Sequence, residues 1–131
     1  MDRRKVLIIT SSTVIRRIIK TKIISKSSFL EVIEAKNAQE GVELLTRESA
    51  NIVLIIIAKL YSEIECEDVV KYIQNDQGLC FIPLIIMVYD GTPERYIFQD
   101  QEKTEKFVVL QMPFADEEFR KALKIAIDRQ R

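Results

Sequence analysis

The side chains available for chemistry are few, and their gaps say as much as their presence. The chain has no histidine, so proton transfer, nucleophile activation or metal ligation that depends on imidazole is excluded. Cys66 and Cys80 match no metal-ligand spacing. They read as free thiols of a reducing cytosol. Hydroxyls cluster at Thr10-Ser11-Ser12-Thr13, directly after an apolar run. Such a cluster can cap a helix, offer weak neutral ligands or accept a phosphoryl group. The acidic residues Glu63, Glu65 and Asp90 are expected in loops, at offsets that do not suit a shared metal. The three glycines, Gly41, Gly78 and Gly91, build no phosphate-cradling loop.

Charge is unevenly distributed. The formal net charge is zero, yet residues 1–26 hold eight basic residues against Asp2 alone, a net of +7 balanced by −7 over the remainder. A basic first helix on an acidic body suits an acidic partner or self-association; a merely solvated face is the plainer alternative. That helix lacks interleaved aromatics, so direct nucleic-acid binding is not expected. The opening residues MDRRKVLIIT have no apolar stretch followed by a small-residue cleavage site, and no signal peptide is read there. No apolar run approaches the roughly 20 residues of a membrane span.

These residues must be positioned by a regular framework. Asn51–Ala58 (NIVLIIIA) is the longest apolar run and is mostly β-branched. It predicts a strand over 52–57 with both faces buried, the mark of a central parallel strand. Lys5–Thr10 predicts a first strand, and Ser11 or Ser12 can cap the helix that follows. Ile15, Ile18, Ile19 and Ile23 form its apolar stripe, with Arg16, Arg17 and Lys20 facing outward. Phe29–Ala35 predicts a strand nearer an edge. Asn37 with Glu40 approximates a capping box for a helix carrying Val42, Leu44 and Leu45. A third helix carries Val69, Val70 and Ile73 and closes at Asn75-Asp76-Gln77-Gly78. Leu84–Val88 and Phe107–Leu110 complete five strands, separated by a loop at 89–93 and a short polar helix around Glu94–Gln101. The last helix opens on Asp116, Glu117 and Glu118, which suits its dipole. Its stripe is Phe119, Ala122, Leu123, Ala126 and Ile127.

Strand and helix alternate five times in 131 residues, which predicts a single α/β domain over 1–131. Right-handed crossovers favour a doubly wound, flavodoxin-like parallel sheet in the order 2-1-3-4-5. Chemistry in such sheets sits at the carboxyl ends of the strands, here residues 10–13, 56–60, 88–92 and 111–113.

Along nearly its whole length the chain resembles the receiver domain of bacterial two-component response regulators. The likeness is carried by KVLIITSSTVIRRIIK, EVIEAKNAQEGVELL, NIVLIII, FIPLIIMV and MPF before an acidic helix. The resemblance implies a Mg²⁺ site from two acidic residues, a phosphoaccepting aspartate, a Thr or Ser, a switch aromatic and a lysine. Matched residue by residue, the acidic pair falls on Thr10 and Ser11, and the phosphoacceptor on Ile56. The hydroxyl position falls on Val88, the aromatic on Val109 and the lysine on Met112. Only Pro113 of the last motif is retained.

The expectation is therefore a cytoplasmic pseudo-receiver, without enzymatic activity, metal or cofactor, that acts by binding a protein in a signalling pathway. A histidine kinase, another regulator and a second copy are the partners the resemblance leaves open. Candidate contact residues are Arg16, Arg17 and Lys20 on the first helix. Tyr96, Phe98, Lys103, Lys106, Arg120 and Lys124 form a second set, on the face of the fourth helix, fifth strand and last helix. Two other functions stay open: a small-ligand or nucleotide sensor in the altered pocket, and phosphorylation at Ser11 or Ser12.

Overall fold

The computed structural model describes residues 4–26, 30–59, 64–89, 108–112 and 115–129. Five strands form one sheet: β1 (Arg4–Ile9), β2 (Leu30–Ala35), β3 (Ile52–Lys59), β4 (Leu84–Tyr89) and β5 (Val108–Met112), in the order β2-β1-β3-β4-β5. Every adjacent pair is parallel. Four helices are described: α1 (Thr13–Lys26), α2 (Ala38–Glu48), α3 (Ile64–Asn75) and α4 (Asp116–Arg129). A 3₁₀ turn at Ser49–Asn51 leads into β3.

The sheet divides the core into two apolar layers because successive strand side chains point to opposite faces. On one face, Leu7, Ile9, Ile55, Ile57, Ile86 and Val88 pack with Leu45 of α2 and with Val69, Val70 and Ile73 of α3. On the other, Ile8, Leu54, Ile56, Ile85 and Met87 pack with Ile19 and Ile23 of α1 and with Phe119, Ala122 and Ala126 of α4. The strand at the centre is β3, paired with β1 on one side and β4 on the other. Ile55 and Ile56, adjacent in sequence, serve different layers and both have no exposed surface. That is why the run is apolar without alternation. β2 lies at the edge, and Leu30 to Ile33 there are only half-buried.

Local chemistry sets the boundaries. Ser12 Oγ accepts from the Ile15 N–H at 3.1 Å, so Ser12 caps α1. Asn37 Oδ1 accepts from the Glu40 N–H at 2.8 Å and caps α2. Gly41 has a packing reason: a Cβ there would stand 2.6 Å from Ile9 Cδ1, so any larger residue requires the Ile9 side chain to shift as α2 lies against β1. Asp76 Oδ1 accepts from the Gly78 and Leu79 N–H groups and closes the turn after α3.

Several expectations need correction. Ile18 is not part of the inner stripe; it is 47% exposed. Neighbouring helix residues stand about 100° apart, which swings Ile18 away from the Ile15–Ile19–Ile23 row. Arg16, only about 60° from that row, is half-buried rather than outward. Glu65 lies in the first turn of α3, not in a loop. Thr10 falls just beyond β1, and β3 and β4 run on to Lys59 and Tyr89. β5 reaches Met112, because Tyr89 of the neighbouring strand supplies a partner for it. The short helix around 94–101 lies outside the described residues.

Candidate functional site

Of the positions that the receiver resemblance singles out, Thr10 and Ser11 follow the carboxyl end of β1, and Ile56 lies within β3 in register with Ile8. Thr10 is the one polar residue buried among the described residues, at 2% exposure. Its N–H donates to Ala35 O at 3.0 Å, extending the β1–β2 pairing by one bond. Its Oγ1 accepts from the Ser12 N–H at 3.3 Å. Its carbonyl accepts from Arg16 Nη1 at 2.7 Å. The same guanidinium donates through Nη2 to Thr13 Oγ1 at 3.2 Å, and its Nε stands 3.7 Å from Glu34 Oε1. Arg16 therefore folds back from α1 and latches over the end of β1. Ser11, beside Thr10, is exposed.

Ile56 sits one strand across, opposite Ile8 in β1 and Ile85 in β4. It is fully buried in the α1/α4 layer, among Ile8, Ile85, Met87 and Phe119. Val88 is fully buried as well, but in the opposite layer with Ile9, Ile57 and Ile86. Ile56 and Val88 thus serve separate layers rather than facing one cavity. Val109 and Met112 have their backbones in β5, opposite Ile86 and Tyr89; their side chains lie outside the described set, as does Pro113.

Mg²⁺ demands near-octahedral oxygen ligands and is usually held through carboxylates. These positions do not fit it. Thr10 and Ser11 offer neutral hydroxyls, Ile56 offers no ligand atom, and the Thr10 carbonyl is taken by a guanidinium. A divalent cation at that carbonyl would stand within several ångströms of the Arg16 charge. Two like charges about 4 Å apart repel by about 4 kcal/mol at an effective dielectric of 20, and double that for a divalent ion. Among the described residues no cluster of three or more His, Cys, Asp or Glu could hold a metal ion. Glu63 and Asp90 fall outside that set.

The proposed contact residues separate into three groups. Arg16 is occupied internally, and Lys20 stands 4.0 Å from Glu34. Arg17, Arg120 and Lys124 are exposed on α1 and α4. Tyr96, Phe98, Lys103 and Lys106 lie outside the described residues. The sequence pattern missed a feature beside Arg17. Val14 and Ile18 are 67% and 47% exposed, and with Thr13, Arg17, Thr21 and Lys22 they line a surface groove of about 380 Å³. Val14, an apolar residue off the inner stripe, was the available signal.

No protein-family model and no curated protein matches the sequence. Solved structures do match in fold. A response regulator receiver domain protein from Clostridium thermocellum is 21% identical; the match covers 97% of this chain and 96% of that one, with a TM-score of 0.78. The signal receiver domain of an HD domain-containing protein from Pseudomonas fluorescens Pf-5 is 19% identical over 99% of this chain and 90% of that one, also at 0.78. The chemotaxis protein CheY4 of Vibrio cholerae is 20% identical over 92% and 96%, at 0.73. The fold is that of the receiver domains, an α/β sheet of flavodoxin-like order. No helix among the described residues is long and apolar enough to cross a membrane.

Proposed function

We infer that the chain is a pseudo-receiver: a cytoplasmic two-component or phosphorelay signalling module that keeps the receiver fold, is not phosphorylated on a strand-three carboxylate, and acts by binding another protein. The observation that carries this is Ile56, fully buried in an apolar layer at the position matched to the phosphoacceptor. Isoleucine has no nucleophilic atom. Aspartyl phosphorylation also relies on positioned charge, from a metal and a cation, to stabilise the transferring group. The matched positions hold Thr10, Ser11 and Met112 instead, and Arg16 takes the Thr10 carbonyl. Apolar strand ends need no counter-ion, so the fold does without the metal. In this reading the domain is not an enzyme, and function rests on helical surfaces, the exposed Arg17 of α1 and Arg120 and Lys124 of α4 among them.

Incubation with acetyl phosphate and Mg²⁺ followed by intact-mass measurement tests the chemistry. The expected result is no added phosphate, and amide spectra that do not move with Mg²⁺ and beryllofluoride. A phosphate-sized mass gain overturns the reading, and peptide mapping then assigns the acceptor, with Ser11 and Ser12 the first to inspect.

A further inference from the structure

Resting on the reading that this chain has lost its metal site, we propose that Arg16 is a built-in cation. Its guanidinium stands against the carboxyl end of β1 and locks the turn from β1 into α1 in one conformation, with Glu34 as the residue that positions it. Mg²⁺ does not fit these positions, and a covalently attached positive charge is already there. The guanidinium nitrogens reach three elements. Nη1 donates to the Thr10 carbonyl at 2.7 Å, just past β1. Nη2 donates to Thr13 Oγ1 at 3.2 Å, at the start of α1. Nε stands 3.7 Å from Glu34 Oε1, near the end of β2. A planar fork with fixed donor directions can serve three such sites at once, whereas an ammonium is a point charge on a flexible stem.

Burial of Thr10 makes the lock necessary. The residue is 2% exposed, so its carbonyl is cut off from water and needs a donor within the protein. The rest of the turn closes on the same residue. Thr10 Oγ1 accepts from the Ser12 N–H at 3.3 Å, and Ser12 Oγ accepts from the Ile15 N–H at 3.1 Å. The Ser12 carbonyl accepts from the Arg16 N–H at 3.0 Å. Arg16 thus holds the turn twice, through its backbone to Ser12 and through its side chain to Thr10. Residues 10–16 form a closed ring, and Glu34 attaches that ring to the edge strand.

Glu34 is shared between two cations. Oε1 faces Arg16, whose side chain is 12% exposed, and Oε2 stands 4.0 Å from Lys20 Nζ, whose side chain is 45% exposed. Salt screens the outer pair more than the inner one, so Glu34 acts chiefly on Arg16. The consequence is a constant surface. A turn that waits for an ion has two states, whereas a turn that carries its own cation has one. The start of α1 then keeps its shape at any divalent-ion concentration, and a partner that contacts this end of the domain meets the same structure throughout.

The test is amide hydrogen exchange, residue by residue, on the full chain labelled with ¹⁵N. In the parent, the Ser12, Ile15 and Arg16 amides should exchange at rates that millimolar Mg²⁺ leaves unchanged. Arg16→Ala should speed them by about tenfold or more, the fold-change of one charged hydrogen bond. The Glu40 and Gly78 amides, held by side chains elsewhere, should keep their parent rates. Arg16→Lys retains the charge without the fork and should restore no more than about half of the lost protection on a logarithmic scale. Glu34→Gln, at a more exposed position that spares the fold, should speed the same amides about two- to fivefold, the range of an exposed ion pair; Lys20→Gln should not. Parent-like protection in Arg16→Ala refutes the lock, and equal acceleration at Glu40 and Gly78 reduces it to general loosening. Full recovery in Arg16→Lys rules out the fork, and a silent Glu34→Gln rules out the positioning role. Slower exchange of the parent amides in Mg²⁺ overturns the built-in cation. The acetyl phosphate assay reads covalent chemistry and these rates do not, so a phosphorylated chain with an intact lock and an unphosphorylated chain without one are told apart.

Discussion

Replacing Ile56 by aspartate restores the residue type that the receiver resemblance places there, and the surroundings of Ile56 set the cost. Its side chain is fully buried between Ile8 and Ile85 in register and against Phe119. Removing it forfeits about 2–3 kcal/mol of apolar burial. The carboxylate that replaces it meets an apolar layer with no cation in the cluster, and an uncompensated buried charge adds several kcal/mol more, limited by protonation. A net loss of about 4 kcal/mol is expected, a large part of the about 5–15 kcal/mol that holds a domain together. At about 3–5 °C per kcal/mol for this chain length, the melting point falls by more than about 10 °C. Ile56→Val, which leaves only a small void, should cost about 0.5–1.5 kcal/mol.

The sign of the pH dependence comes from the same burial. Desolvation raises the folded-state affinity of the new carboxyl for its proton above that of the unfolded chain. Its contribution is then least harmful below the unfolded-state value and grows worse as pH rises. The Ile56→Asp deficit should therefore shrink between pH 8 and pH 5 in urea titrations, with the Ile56→Asn variant showing no such slope. Millimolar Mg²⁺ should leave the deficit unchanged. A variant as stable as the parent, or one restored by Mg²⁺, would refute the filled-pocket reasoning.

Three further outcomes can be checked by denaturant titration. Gly41→Ala gains about 1 kcal/mol of helix propensity but drives a methyl into Ile9, at about 1–3 kcal/mol for overpacking. It should be neutral to destabilising alone and stabilising in an Ile9→Val background, where the obstructing Cδ1 is absent. Arg16→Ala should cost about 1.5–3 kcal/mol through the charged bond to the Thr10 carbonyl, whereas Arg17→Ala should stay within about 0.5 kcal/mol, as exposed positions do. Asn37→Ala should cost about 1 kcal/mol through loss of the α2 cap.

The arrangement of five parallel strands was legible because the two signals that matter are local. β-branched runs of strand length mark buried parallel strands, and the intervening amphipathic periods mark crossover helices. The Asn37 cap and the central position of 52–57 came from the same kind of signal. Arg16 was misplaced because charge alone suggests solvent, while a long side chain half-facing the core can reach back to a carbonyl that the strand leaves unpaired. Ile18 was misplaced for the opposite reason: isoleucine suggests core, but the helix angle turns it outward. β5 was drawn short because Gln111 and Met112 lack a strand signature of their own and are held by their pairing with β4.

The sequence by itself determined the sheet, its order and the absence of a carboxylate from the central strand, since each is a matter of residue type at a fixed period. Only the tertiary structure decided how the altered positions are disposed: Ile56 and Val88 in opposite layers, the Thr10 carbonyl held by Arg16, and Lys22 tied to Asp116. These depend on pleat, helix phase and contacts between residues far apart in the chain, and no local pattern encodes them.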